Sequence, residues 1–335
     1  MQIQNISYRK RTVTDSMYRS NLTLWSMRIA FGLLAALAVV ISAANAHGAQ
    51  NRRPVFTVYR QAVGFVQSEL KAAKIPAETA DAISTAVVLV PADYDGDGRM
   101  DFGTWNRATA TWKIQRSSNN SKTTINFGKA STRNMANQNV PVPADFDGDG
   151  IDDLAVWSPS TGEWQILNSS KVKNRAATSL RFGVAGDVPV QADYDGDSKA
   201  DAAVFRPSEN RWYILSSKTG ETRTVNFGIA GTDLLVPTDF TGDGKADVAV
   251  YRRGTWFVLN SATDETEPFE FGFADALPVP GDYDNDGEID FAVYRSGTWY
   301  IYESSAPRLL TYKFGNETDI PLSSIMAKPS IAGLL

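Results

Sequence analysis

The sequence predicts an all-β protein that folds as a β-propeller, and three observations predict it. An aspartate-rich loop occurs five times within 335 residues. Each loop is followed by the same series of short runs rich in Val, Ile, Trp, Tyr and Phe. No amphipathic helical pattern separates these five units. Four short strands repeated at a period of roughly 40–50 residues are typical of propeller blades.

Each unit contains four strand-like runs in a fixed order. In the second unit, "DLAVWS" (153–158) follows the loop and "EWQILNSS" (163–170) follows a turn. A third run ends in Phe-Gly, and a fourth, such as "VPVQADY" (188–194), leads into the next loop. Short runs of β-branched and aromatic residues bounded by Gly, Asp, Ser or Pro indicate strands. The Phe-Gly pairs are Phe127-Gly128, Phe182-Gly183, Phe227-Gly228, Phe271-Gly272 and Phe314-Gly315.

A sixth unit is divided between the two ends of the chain. Residues 56–68 resemble 291–304, but no aspartate loop precedes them, and residues 319–324 resemble a run that leads into a loop. We therefore expect six four-stranded antiparallel blades, with the C-terminal strand joining the N-terminal blade to close the ring. This closure would remove an open sheet edge. Seven blades are the alternative if residues 47–55 or 325–335 contribute strands.

The N-terminal region has the pattern of a secretory signal peptide. Arg28 precedes an apolar run, and the small residues "ANA" at 44–46 form a cleavage site. The alternative is a signal anchor that is retained. The expected organisation is listed by residue range: 1–46 extension and signal peptide, 47–54 linker, 55–324 propeller, 325–335 C-terminal tail. After cleavage we expect no membrane span and a secreted, extracellular or cell-surface location, with the periplasm as a variant.

The aspartate loops follow the nine-residue pattern Asp-x-Asp-x-Asp-Gly-x-x-Asp. Positions 1, 3, 5 and 9 offer side-chain oxygens, and position 7 offers a backbone carbonyl. Hard oxygen ligands without nitrogen or sulfur favour Ca²⁺, which would offset the repulsion between the carboxylates. We expect about five calcium sites.

The predicted ligands follow the same order in each loop. Loop 1 uses Asp93, Asp95, Asp97, Arg99 and Asp101; loop 2 uses Asp145, Asp147, Asp149, Ile151 and Asp153; loop 3 uses Asp193, Asp195, Asp197, Lys199 and Asp201; loop 4 uses Asp239, Thr241, Asp243, Lys245 and Asp247; loop 5 uses Asp282, Asp284, Asp286, Glu288 and Asp290. Ser198 replaces the usual Gly in loop 3. Loop 4 has a hydroxyl in place of one carboxylate, so we expect its site, which begins at Asp239, to be the weakest.

The recurring Phe-Gly pairs and aspartate loops resemble the FG-GAP, or VCBS-type, repeat family. The resemblance covers roughly residues 55–324. It implies a propeller like the head of integrin α-subunits, with calcium in the equivalent loops, and it implies a secreted, bacterial-type protein. Integrin propellers have seven blades and further stalk domains, so the resemblance does not carry integrin adhesion over as a whole.

Composition excludes several functional classes. The chain has no Cys and one His, which removes disulfides, thiolate sites and most His-based catalysis. The net charge of −5 argues against a nucleic-acid partner. We expect no enzymatic activity, because nearly all clustered carboxylates belong to the loops. A polysaccharide lyase or hydrolase is the alternative that would overturn this expectation.

The leading functional prediction is a calcium-binding adhesion or binding module for an extracellular glycan or protein. The alternative is a lectin that stacks sugars on the recurring tryptophans. If these tryptophans instead pack in the core, they are buried and cannot contact a sugar. The recurring arginines Arg60, Arg206, Arg252 and Arg295 either bind an acidic ligand or pair with neighbouring carboxylates. Clustering of the non-repeated segments 106–111 and 129–139 at one end would indicate a binding site.

Overall fold

The computed structural model describes residues 58–60, 87–130, 139–171, 177–284, 286–317 and 319–321. The expected extension and signal peptide (1–46), the linker (47–54) and the C-terminal tail (325–335) lie outside these residues. Within the described part of the chain, no helix has the length and apolar character needed to cross a membrane.

Among the described residues, twenty strands form five antiparallel four-stranded sheets, and the strands of each sheet pair in chain order. Blade 1 contains β2 (Val87–Leu89), β3 (Phe102–Asn106), β4 (Thr111–Gln115) and β5 (Lys122–Asn126); blade 2 contains β6 (Val140–Pro141), β7 (Leu154–Ser158), β8 (Glu163–Leu167) and β9 (Thr178–Arg181); blade 3 contains β10 (Val188–Pro189), β11 (Ala202–Arg206), β12 (Arg211–Leu215) and β13 (Thr222–Asn226); blade 4 contains β14 (Leu234–Leu235), β15 (Val248–Arg252), β16 (Thr255–Leu259) and β17 (Thr266–Glu270); blade 5 contains β18 (Leu277–Pro278), β19 (Phe291–Arg295), β20 (Thr298–Tyr302) and β21 (Leu309–Lys313). A 3-10 helical turn, Ser169–Lys171, follows β8.

The all-β propeller is confirmed, but the prediction of six blades, or seven, is wrong. The two chain ends pair as a two-stranded sheet of β1 (Val58–Arg60) and β22 (Asp319–Pro321), with Val58 opposite Pro321. The ends therefore meet as expected, but among the described residues they contribute two strands and not a four-stranded blade. The N-terminal unit has Gly64 or Phe65 where the other units have Trp, and no aspartate loop precedes it.

The recurring tryptophan explains why that difference matters. In every blade the indole Nε1–H of the third-strand Trp donates to the carbonyl of the Phe in the Phe-Gly pair, at 2.8–3.1 Å. These tryptophans are at most 2% exposed. Each one fills the centre of its blade and satisfies its single polar group at the end of the fourth strand. They are Trp112, Trp164, Trp212, Trp256 and Trp299.

The glycine of the Phe-Gly pair lets consecutive blades approach each other. Gly183 has a φ of 92°, and a Cβ at this position would lie 3.0 Å from Val204 in the next blade. Gly128 and Gly228 face Val156 and Val250 in the same way. The apolar clusters show the same continuity, because the cluster around Trp164 extends to Ala202 and Val204 of blade 3.

The strand order gives each blade two distinct ends. The aspartate end carries the loop between strands one and two and the turn between strands three and four, for example Asp93–Asp101 and Ser117. The Phe-Gly end carries the turn between strands two and three and the Phe-Gly pair, for example Gly162 and Gly183. At the Phe-Gly end of blade 2, the amide of Phe182 donates to the carbonyl of Gly162 at 2.8 Å.

Replacing Gly162 with alanine tests this close approach. Gly162 and Gly220 have similar φ angles of 67° and 71°, but a Cβ on Gly162 would lie 2.3 Å from the Gly183 carbonyl oxygen, whereas Gly220 has open space. We expect Gly220→Ala to cost about 1 kcal/mol of unfolding free energy from backbone strain, and Gly162→Ala roughly 3 kcal/mol or more. Chemical denaturation of both variants measures the difference. Equal losses would show that the turn does not press on the Phe-Gly pair.

Candidate metal centre

The position-1 aspartate organises each loop through the backbone. In loop 1, Asp93 Oδ1 accepts from the amide of Gly96 and Oδ2 accepts from the amide of Gly98, both at 2.7 Å. Loops 2, 3 and 4 repeat both bonds at 2.6–2.8 Å. Ser198, which stands where the other loops have Gly, adopts a φ of 66° and keeps the bond. The aspartate-glycine spacing therefore builds a tight turn around one carboxylate.

The position-9 aspartate ties the loop to the turn between strands three and four. Asp201 accepts from the amide of Tyr194 at 2.8 Å and from the amide of Ser217 at 2.6 Å. The same pair of bonds occurs in all five blades, and these aspartates are 0–1% exposed. Backbone N–H groups thus hold a buried carboxylate at the start of the second strand.

Serine hydroxyls in the turn between strands three and four hydrogen-bond to the loop carboxylates. These contacts were not predicted from the sequence. Ser117 Oγ lies 3.0 Å from Asp97 Oδ2, and Ser118 Oγ donates to Asp95 Oδ2 at 2.5 Å. In loop 5, Ser304 and Ser305 make the equivalent contacts with Asp286 and Asp284. The signal was present in the repeated "SS" after the third strand, which occurs at 117–118, 169–170 and 304–305.

Four loops bring their carboxylates close enough to share one cation. In each, three carboxylate oxygens lie within 4.8 Å of one another. The groups are Asp93, Asp95 and Asp101; Asp145, Asp147 and Asp153; Asp193, Asp195 and Asp197; Asp282, Asp284 and Asp290. The predicted ligands of these four loops that lie outside the groups remain predictions: the carbonyls of Arg99, Ile151, Lys199 and Glu288, and the carboxylates of Asp97, Asp149, Asp201 and Asp286. The loop-4 ligands Asp239, Thr241, Asp243, Lys245 and Asp247 also remain predictions.

The position-3 aspartates provide the test of whether these groups fit a metal ion. Asp95 Oδ1, Asp147 Oδ1 and Asp195 Oδ1 are buried and have no hydrogen-bond partner. A buried carboxylate oxygen without a partner is costly, and a bound cation would satisfy it. The donor set of carboxylates also matches a hard cation. The residues present therefore fit a metal ion in these three loops.

Burial makes the clustered charges unfavourable on their own. Burial raises the pKa of Asp153 to about 7, and the charges of Asp147 and Asp145 raise it as well, while the amides of Ser169 and Phe146 lower it. Burial also raises the pKa of Asp101, Asp201, Asp247 and Asp290. A raised carboxyl pKa means that the fold disfavours the ionised form. A cation in the loop would reverse that preference.

Loop 4 differs from the others in two linked ways. Thr241 stands at position 3, and its Oγ1 lies 3.4 Å from Asp247 Oδ1 and 3.5 Å from Asp239 Oδ1. Ala262 stands where Ser118 and Ser305 contact the position-3 aspartate, so both partners of that contact are lost together. In the described chain, the groups with ligand oxygens within 4.8 Å do not include loop 4. That the loop-4 site is the weakest stays a prediction, and the loss of this contact is a second reason for it.

Consecutive loops are joined along the aspartate end. The amide of Ala200 at position 8 of loop 3 donates to the carbonyl of Asp145 in loop 2 at 2.7 Å, and Ala246 of loop 4 bonds to Asp193 in the same way at 2.6 Å. Between loops 1 and 2 the bond is doubled, because the Asp152 amide donates to the Asp93 carbonyl and Asp152 Oδ2 accepts from the Asp93 amide. The first four loops therefore form one hydrogen-bonded series.

The arginines at the Phe-Gly end pair with neighbouring carboxylates. This is one of the two roles that the sequence predicted for them. Arg206 bonds to Asp187 through Nε at 2.8 Å and through the Nη2 group at 3.0 Å, and its guanidinium lies 4.1 Å from the Tyr213 ring centroid. Arg252 makes the same contacts with Asp233 and Phe257. Arg295 pairs with Asp275 over Phe273. These three arginines are thus engaged within the fold.

Comparison with known families identifies the repeat. A family model described as an FG-GAP-like repeat matches three overlapping segments, residues 93–156, 145–204 and 193–250. Residues 93–250 of the chain are therefore FG-GAP-like repeats. Each matched segment begins at the first aspartate of a loop and ends at the valine that faces the Phe-Gly glycine of the preceding blade. The FG-GAP unit therefore includes one interblade contact.

Comparisons with individual proteins add less. No curated protein sequence matches the chain significantly. Similar solved structures include a streptogramin B lyase, at 10% identity over 69% of this chain and 74% of that chain with a TM-score of 0.43. An Agrocybe aegerita lectin that recognises non-reducing terminal N-acetylglucosamine has 14% identity over 74% and 82%, with a TM-score of 0.42. A putative 6-phosphogluconolactonase from Bacteroides fragilis has 13% identity over 68% and 69%, with a TM-score of 0.38. TM-scores this low carry no argument about function.

The differences in loop 4 generate a gain-of-site prediction. Replacing Thr241 with Asp and Ala262 with Ser supplies both missing groups, so the double variant is expected to bind Ca²⁺ more tightly at loop 4 and, at a Ca²⁺ concentration too low to fill the weak loop-4 site of the unchanged protein, to bind one more Ca²⁺ per chain. Isothermal titration calorimetry measures the stoichiometry. Ala262→Ser alone is the control and should leave the count unchanged. An equal count for the double variant and the unchanged protein would contradict the account of loop 4.

Proposed function

We propose that this protein is a secreted binding module whose FG-GAP propeller is stabilised by calcium at the aspartate end and recognises an extracellular glycan or protein at the Phe-Gly end. The observation that carries the calcium proposal is the set of buried, unpartnered oxygens of Asp95, Asp147 and Asp195. Each lies in a group of oxygen ligands that a divalent ion would complete.

Calcium suits these loops better than magnesium. The ligands come from one short turn of irregular geometry, and Ca²⁺ accepts six to eight oxygens in variable geometry, whereas Mg²⁺ requires a near-ideal octahedron. The cation would be a structural element, because its ligands are also the groups that join the loop to the three-four turn and, through the backbone, to the next blade. Secretion accords with this role, since extracellular calcium is plentiful enough to fill weak sites of about 10⁻⁴–10⁻³ M.

The two ends of the blades carry different side chains, and this difference supports recognition at the Phe-Gly end. The clustered carboxylates of the described blades are used in the aspartate loops, where backbone amides and serine hydroxyls hold them. The Phe-Gly end instead presents turns with exposed apolar and polar side chains, including Val184 at 52% and Ile229 at 47% exposure. Loops placed at one end of a rigid propeller are common recognition sites. We therefore favour binding over catalysis.

The lectin alternative is not favoured in the form that the sequence suggested. Trp105, Trp112, Trp157, Trp164, Trp212, Trp256 and Trp299 are 0–2% exposed. Their indole faces lie in the blade cores, so they are not accessible for stacking on a sugar ring. Any sugar recognition would have to use other residues.

A binding screen in two buffers tests the proposed function. The purified protein is applied to a glycan array and used in a pull-down from cell-surface and medium fractions, once with Ca²⁺ and once with EDTA. We expect a specific partner to be retained with Ca²⁺ and reduced at least tenfold with EDTA, because the loops loosen without the cation. Absence of capture in both buffers, or release of cleaved polysaccharide from the array, would contradict a binding role.

A further inference from the structure

We propose that a cavity between blades 1 and 2 at the Phe-Gly end binds one uncharged sugar unit through amide and hydroxyl groups. The cavity has a volume of approximately 280 Å³. Its lining includes Asn139, Ser158, Gln165, Thr161, Lys129 and Glu163. The proposal rests on the proposed recognition role of the Phe-Gly end and names the chemistry of the ligand.

The repeat shows what the other blades place at the corresponding positions. Ser158 ends the second strand of blade 2, as Arg206 ends that of blade 3. Asn139 directly precedes the first strand of its blade, as Asp187 does. The strand registers agree, because Val140 lies opposite Trp157 and Val188 lies opposite Phe205.

The third substitution lies in the next strand. Gln165 is the middle residue of β8, and Tyr213 is the middle residue of β12. Blades 3 and 4 therefore fill this position with an Arg–Asp pair covered by an aromatic ring, the trios Arg206, Asp187, Tyr213 and Arg252, Asp233, Phe257. Blade 2 has the trio Ser158, Asn139 and Gln165 in their place, and there the cavity lies.

All three members of the trio change together, which has a physical reason. Asp187 and Asp233 have side chains that are 0% and 1% exposed, so losing the arginine alone would leave a buried, unpaired carboxylate. Asn139 is equally buried at 5% exposure but carries no charge. Replacing the Arg–Asp pair and the aromatic ring with smaller neutral side chains leaves space for a cavity. It does so without leaving a buried carboxylate unpaired.

The lining favours a neutral polyhydroxylated ligand. Asn139 is buried and Ser158, Glu163 and Gln165 are half-buried, so the lining offers amide and hydroxyl groups that donate and accept together with one carboxylate that accepts. Sugar hydroxyls also donate and accept, so they complement such a surface. Lys129 is exposed and therefore belongs to the rim of the cavity. The volume lies just below the range of about 300–1,000 Å³ that holds drug-sized ligands, which suits a single ring.

The sequence that connects blade 1 to blade 2 is longer than the one that connects blade 2 to blade 3. Ten residues, 129–138, separate Gly128 from Asn139, whereas three residues, 184–186, separate Gly183 from Asp187. Segment 129–139 is one of the two non-repeated segments, with 106–111, whose clustering at one end is expected from the sequence to indicate a binding site. Lys129, Ala130 and Asn139 from this segment line the cavity.

The test transplants the blade-3 trio into blade 2. The triple variant Asn139→Asp, Ser158→Arg, Gln165→Tyr is expected to fill the cavity and to melt no lower than the unchanged protein, because blade 3 already contains this arrangement. Saturation-transfer NMR in Ca²⁺ buffer is run with a panel of glucose, galactose, mannose, fucose, N-acetylglucosamine and N-acetylgalactosamine. We expect at least one sugar to bind the unchanged protein and its signal to fall at least tenfold with the triple variant.

Two further measurements keep the result decisive. If the triple variant has a lower melting temperature than the unchanged protein, the single variant Gln165→Tyr is used in the NMR measurement instead. This change fills the cavity without adding charge. Free glycine and glutamate serve as charged probes. Binding of these in preference to the sugars, failure of every sugar to bind, or equal binding by the filled variants would overturn the proposal. The filled variant is also used in the calcium pull-down. If the sugar site fails but this variant still captures a protein partner, the proposed function is retained and only the sugar site is rejected.

Discussion

Repulsion between crowded carboxylates is the constraint on which this structure depends. Each loop holds an aspartate at position 1 with backbone amides and buries another at position 9 at the start of a strand. The same bonds that fold the loop therefore bring like charges together, and burial raises the pKa of Asp153 to about 7. The loop geometry is favourable only if something offsets these charges, and a cation is the simplest candidate.

The interblade contacts extend that local constraint along the chain. The position-8 amides of Asp152, Ala200 and Ala246 each bond to the position-1 carbonyl of the preceding loop. A loop that opens would therefore loosen its neighbour as well as its own blade. At the other end, the glycine of the Phe-Gly pair packs against a valine of the next blade, and the Trp indole bonds within its own blade, so neither contact uses charge. Loop 4 keeps its backbone bonds although Thr241 replaces the aspartate at position 3. It therefore has one carboxylate fewer and weaker charge repulsion than the other loops.

Much of the fold was predictable because its signals are local. Loop turns need Asp and Gly at fixed spacing, and the short strands show their β-branched and aromatic residues directly. The number of blades was not predictable in this way, because residues 56–68 have strand propensity but lack the Trp that bonds to a Phe-Gly carbonyl. The serine contacts and the Ser158, Asn139, Gln165 trio depend on which residues face each other across strands, and that register becomes visible only in three dimensions.

Thermal unfolding at two ionic strengths tests the central claim most directly. The melting temperature is measured in Ca²⁺ and in EDTA, each at low and at high NaCl. If carboxylate repulsion limits the metal-free fold, Ca²⁺ raises the melting temperature, and NaCl raises it in EDTA by screening the exposed charges while changing it little in Ca²⁺. Equal melting temperatures in Ca²⁺ and EDTA, together with no effect of NaCl in EDTA, would contradict the account.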